Sequence, residues 1–90
     1  MSIPKVSIRQ IKAARALLGW SQELLAEKAA VSEPTIKRLE AADGELGGRV
    51  ETGQRLLKAF HEGGIEFIFE NGAGVGVRLK KKKRRLISEL

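Results

Sequence analysis

GWSQELLAEKAAVSEPTIKRLE, residues 19–40, contains two short helical periods joined by a tight turn, and the fold follows from it. Ser21 is a polar cap ahead of Gln22–Ala29, where Leu25, Ala26 and Ala29 share one face at the 3.6-residue period. Ser32 caps a second helix and Pro34 sits in its first turn, where a missing N–H carries no penalty. Ile36, Leu39 and Glu40 form the inward stripe of that helix. The small Ala26 lets the two helices cross closely, and Val31 plugs the angle between them. With Ile36 and Leu39 turned inward, the outer side carries Pro34, Lys37, Arg38 and Ala41, with Glu33 beside them. A helix that shows Lys37 and Arg38 between small residues fits the major groove of DNA.

Upstream, Ser7 followed three residues later by Gln10 is a capping-box pattern. It predicts a helix over Ile8–Leu18 with Ile8, Ile11, Ala14, Arg15 and Leu18 on one face. Gly19 and Trp20 end it, Trp20 as a core plug between the first two helices. Arg15 and Glu40 each fall inside an apolar stripe. A lone buried charge is heavily penalised, so the two are expected to pair as a structural ion pair. Downstream, Asp43–Gly48 reads as a loop, and a fourth helix over about Glu51–Glu62 should bury Leu56, Leu57 and Phe60 and stop at Gly63 and Gly64.

From Ile65 the period switches to two. Ile65, Phe67 and Phe69, then Val75, Val77 and Leu79, alternate with polar residues or glycine around a turn at Asn71–Gly74, which predicts a β-hairpin. A three- or five-residue loop sets Phe67 opposite Val77 or Leu79 and Glu66 opposite a cation, whereas an even loop opposes Phe67 to a cation; the odd loop is expected. The Gly72, Gly74, Gly76 spacing is better explained by hairpin geometry than by a phosphate loop, since no helix follows it. The hairpin has three available roles: a satellite of the core, a wing on DNA, or an edge strand offered to a second subunit, the last preferred. The expected division is a helical domain over residues 1–64, the hairpin over 65–80, and a flexible basic tail over 81–90.

Ninety residues make one small domain, and 17 Lys and Arg against 11 Asp and Glu give a net charge of +6. The first 77 residues are balanced. The excess belongs to the last thirteen, with the run Lys80–Arg85, a tail expected to add salt-sensitive attraction to phosphate. No cysteine and one histidine, His61, exclude disulfides, thiolate sites and multi-histidine metal sites, and no nucleophile–base or paired-carboxylate arrangement offers catalysis. Neither a signal peptide nor a membrane anchor is visible, so a cytoplasmic, non-enzymatic protein without metal or cofactor is expected.

The string GWSQ…LA…VS…TI.RLE resembles the phage-repressor-like, XRE-type helix-turn-helix transcriptional regulators over residues 7 to about 62, and the ending from Gly64 is similar to short single-domain bacterial members. The resemblance implies a mainly α, lambda-repressor-like bundle of about four helices with a C-terminal hairpin. It also implies sequence-specific binding of double-stranded DNA, as a repressor and a homodimer on two half-sites. By position, Ser21 and Gln22 would grip phosphate, Ser32 and Thr35 would contact phosphate or sugar, and Glu33, Pro34, Lys37 and Arg38 would read bases. Arg38 could bind guanine bidentately and Glu33 could accept from a cytosine amine. Position 30 is Ala where the family favours Gly, so strain is expected there. The competing class is a protein-interaction module, such as an antitoxin that binds a partner protein through the hairpin and tail. No small-molecule effector is expected.

Overall fold

The computed structural model describes residues 5–81. Four helices, α1 (Ile8–Leu18), α2 (Gln22–Ala29), α3 (Glu33–Ala41) and α4 (Val50–Glu62), precede an antiparallel hairpin of β1 (Ile65–Ile68) and β2 (Gly76–Leu79). The expected tail falls outside the described residues from position 82 onward. No helix of the described chain is long and apolar enough to cross a membrane.

The helix limits are set by local chemistry. The Ser7 Oγ accepts from the Gln10 amide at 3.0 Å while Gln10 Oε1 accepts from the Ser7 amide at 2.9 Å, the reciprocal capping box that starts α1. Ser21 and Ser32 accept from the Leu24 and Thr35 amides and start α2 and α3. Gly19, at φ +69°, closes α1 in the left-handed region. The loop after α3 is tied down by backbone pairing: Ile8 donates to the Gly44 carbonyl at 2.8 Å and Leu46 to the Val6 carbonyl at 2.7 Å.

Ile8, Ile11, Leu25, Ile36, Leu56, Phe60 and Ile65 are essentially fully buried, so each of the four helices and β1 contributes to the core. Burying such a side chain is worth roughly 1.5–3 kcal/mol, and these residues carry most of the fold's cohesion. Trp20 reaches beyond its expected position between α1 and α2: Lys28 of α2 lies 5.3 Å over its ring, and the ring also meets α4. Its ring stacks on Phe60 at 5.9 Å and lies against Gly63, where an added Cβ would come within 2.9 Å of it. The turn after α1 carries Trp20 onto the end of α4, and Gly63 is required there by close approach rather than by backbone angle.

The hairpin has the expected register, Glu66 opposite Arg78 and Phe67 opposite Val77, and Glu66 and Arg78 form a salt bridge at 3.2 Å. Its loop is longer than the three or five residues expected. Pairing ends at Ile68 and Gly76, leaving the seven residues Phe69–Val75 between the strands. Gln10 Nε2 donates to both the Ile68 carbonyl (3.1 Å) and the Gly76 carbonyl (2.9 Å) and pins the hairpin to α1 where pairing ends. Beyond it, Gly72 and Ala73 amides turn back onto the Glu70 and Asn71 side chains. Phe67 meets Phe60 edge-on at 5.9 Å, and Val77 packs against the same core, so the hairpin is part of the helical body's interior.

Gln10→Ala should lower stability by about 1–3 kcal/mol, since it removes the capping partner of the Ser7 amide and the clip to the half-buried Ile68 and Gly76 carbonyls; a urea midpoint unchanged from wild type would contradict the clip. Ala30 adopts φ +58°, ψ +45°, the only positive φ outside glycine among the described residues. Ala30→Gly removes a left-handed penalty of roughly 1–2 kcal/mol and adds about 0.5–1 kcal/mol of unfolded-state entropy. The melting temperature should therefore rise by a few degrees, a shift visible by calorimetry.

Candidate nucleic-acid interface

The two-helix unit is held by one polar cluster. Arg15 reaches from α1 to donate to both carboxylate oxygens of Glu40 on α3, through Nε at 2.9 Å and Nη2 at 2.8 Å, and through Nη1 to the Trp20 carbonyl at 3.0 Å. Gln22, the first residue of α2, donates from Nε2 to the same Glu40 oxygen at 3.0 Å. Burial alone would push the Glu40 carboxyl up. The hydrogen bonds from Arg15 and Gln22, with the field of the guanidinium, outweigh it and hold the group below the usual glutamate range. The Glu40 hydrogen bond holds the Arg15 guanidinium above its ordinary value.

That cluster fixes how α3 presents its outer side. Pro34, Lys37, Arg38 and Ala41 are all exposed, the face expected from the 100° rotation per residue, while Ile36 and Glu40 are buried. Glu33 lies half-buried beside Lys37, the pair at 3.6 Å. An exposed i,i+4 pair of this kind is worth only a few tenths of a kcal/mol, so Lys37 is easily released. The Ser32 and Thr35 hydroxyls bond each other at 2.8 Å at the start of α3. Ser21 is exposed at the start of α2, where the first N–H groups of a helix lack intrahelical acceptors. Gln22 is drawn inward: its amide nitrogen braces Glu40, and its carbonyl oxygen makes no hydrogen bond among the described residues.

The turn between α2 and α3 is held from outside by α4. Arg55 donates from Nη1 to the Ala30 carbonyl at 3.0 Å and from Nη2 to Glu51 at 3.0 Å, which steadies the left-handed residue.

The sequence reading omitted one part of the surface. An open cleft of about 560 Å³ runs between α3 and the start of α4, lined by Thr35, Arg38, Gly47, Gly48, Arg49 and Thr52, with one carboxylate, Glu45, also on its wall. Arg49 precedes α4 without capping it through its side chain, and neither Arg38 nor Arg49 has an ion-pair partner among the described residues. Arg49 had no visible signal in the sequence, because it sits in a glycine-rich loop without period; the return of that loop past α3 brings Arg38 and Arg49 to the lining of one cleft.

Residues 11–61, more than half of the chain, match the helix-turn-helix family model. The chain belongs to the XRE-type, lambda-repressor-like helix-turn-helix family. No curated protein matches it. Members of this family are DNA-binding transcription regulators, and double-stranded DNA is the partner class that membership establishes. Within it, α3 occupies the position of the second helix of the motif.

Because the Glu40 carboxyl is held low in the folded chain, its contribution is present at neutral pH and is lost as the pH falls below the unfolded glutamate value and through the folded one. Glu40→Gln should lower stability by about 1–3 kcal/mol at neutral pH and flatten the acid limb of a stability-against-pH curve; an acid limb as steep as wild type would assign it elsewhere.

Proposed function

We propose that the chain is a sequence-specific transcriptional repressor that lays α3 in the DNA major groove and binds two half-sites as a homodimer. The observation that carries this reading is the outer face of α3, where Lys37 and Arg38 stand exposed between Pro34 and Ala41 on a helix whose other side is locked into the core by Ile36 and Glu40. A rigidly seated helix can hold a base-reading side chain in one register, and a bidentate Arg–guanine pair discriminates by about 1–3 kcal/mol. In this reading Arg38 and Lys37 read bases and Glu33 selects for a cytosine amine while repelling backbone phosphate. Pro34 packs against a base edge, and Ser32 and Thr35 meet phosphate or sugar.

Phosphate is gripped at both flanks. Ser21 and the first N–H groups of α2 form one anion site, where the helix dipole favours negative charge. Gln22 belongs to it through the position of its backbone, while its side chain orients Glu40. Arg49, Thr52 and the Gly47–Gly48 backbone across the cleft from Arg38 form the other. Occupancy of an operator is sufficient for repression, which requires only this surface.

The test begins with selection of bound sequences from a random DNA pool, followed by anisotropy titrations of variants on the selected site. Arg38→Ala should weaken the selected site roughly 10- to 100-fold with little change on random DNA. Arg49→Ala should weaken both equally and reduce the salt slope by about one. If Lys37→Ala and Arg38→Ala both leave the ratio of selected to random affinity unchanged, α3 is not the reading helix.

A further inference from the structure

The outer side of α3 carries one side chain whose charge opposes a phosphate-lined groove. Glu33 opens the helix half-buried, 3.6 Å from Lys37, and its carboxylate accepts no hydrogen bond among the described residues. Glu40, the other carboxylate of the helix, accepts three in the core. A carboxylate is an acceptor only, so against a base edge Glu33 needs a donor. In the major groove guanine presents N7 and O6 and thymine presents O4, all acceptors; the donors are the amines of cytosine and adenine. Adenine sets N7, an acceptor that repels a carboxylate, beside its amine, whereas beside the cytosine N4 amine lies only the C5–H. The cytosine edge is therefore the one that suits Glu33. Pro34, next along the chain and exposed, offers an apolar ring to C5.

A paired cytosine has one free amine proton, the other being engaged by guanine. We propose that Glu33 and Pro34 make binding depend on the methylation state of a cytosine in the site, refusing N4-methylcytosine and accepting 5-methylcytosine. This rests on the assignment of α3 as the reading helix. A methyl group on N4 must take the groove side, because the pairing proton stays, and it leaves Glu33 stripped of water with no donor. The exposed Lys37 pair is too weak to offset that loss. A methyl group on C5 leaves the groove-side proton in place and meets Pro34 as a thymine methyl meets an apolar side chain. An acid in the first turn also favours the helix dipole, but that role is blind to the base, and methylated DNA separates the two.

The test titrates wild type and Glu33→Ala by anisotropy on the sequence selected from the random pool, with each cytosine replaced in turn by N4-methylcytosine or 5-methylcytosine. Each protein is compared with itself on unmodified DNA, so any change in folding cancels. At one cytosine position wild type should lose roughly 10- to 100-fold on N4-methylation and less than about twofold on C5-methylation. Glu33→Ala should bind the N4-methylated and unmodified sites alike. Wild type indifferent to N4-methylation at every cytosine overturns the proposal, as does the same loss in Glu33→Ala, an equal loss on C5-methylation, or a selected sequence with no fixed cytosine. The DNA reading fails separately, through Lys37→Ala and Arg38→Ala. If those variants collapse the ratio of selected to random affinity while the methylated series is flat, α3 reads bases and only the role given to Glu33 and Pro34 falls.

Discussion

The contact between Arg15 and Glu40 is the constraint on which the rest of the structure depends. Three helices and the turn after the first meet at it: Arg15 from α1, Glu40 from α3, Gln22 from α2 and the Trp20 carbonyl, all within 2.8–3.0 Å. A buried carboxylate with fewer partners would be heavily penalised, so the arrangement tolerates only one packing of α2 and α3 on α1. The uniqueness matters for function. Hydrophobic contacts among Ile11, Leu25 and Ile36 would survive small sliding motions, whereas a bidentate guanidinium–carboxylate pair does not, and the outer face of α3 inherits that rigidity.

A second polar contact performs the corresponding task at the other end of α1. Gln10 begins as the capping partner of Ser7 and ends as the clip that holds the hairpin by the Ile68 and Gly76 carbonyls. One side chain thereby links the start of the first helix to the last element of the described chain. The hairpin is drawn into the core on one face, with Phe67 against Phe60, and no further strand pairs with it among the described residues. The same placement that stabilises the domain leaves Val75 and Leu79 outside it. Charge plays a lesser part than the +6 total suggests, because the first 77 residues are balanced and the basic face of α3 arises from geometry.

Much of the fold is legible in the residues because its signals are local. Ser7, Ser21 and Ser32 fix the starts of α1, α2 and α3 to the residue, since capping hydrogen bonds span only three positions. The strain at Ala30, at φ +58°, is expected from the family resemblance, which favours Gly at that position. The outer face of α3 followed from rotation per residue. The hairpin register followed from setting Glu66 opposite a cation, although the loop length did not: pairing stops at Ile68 and Gly76, and the loop folds back on its own Glu70 and Asn71 side chains.

Sequence alone thus determined the helices, the turn between α2 and α3, the pairing of Arg15 with Glu40 and the family to which they belong. Each of these rests on spacing within a few residues or on the need of a buried charge for an opposite one. Tertiary structure alone decided that Trp20 reaches Phe60 on α4 while Lys28 of α2 covers its ring, that Gln22 turns inward to Glu40, that Arg49 shares a cleft with Arg38, and that the hairpin joins the core. These depend on where distant segments meet, and no periodicity encodes that; it emerges when helices of fixed length pack around Phe60 and the remaining polar groups must find partners.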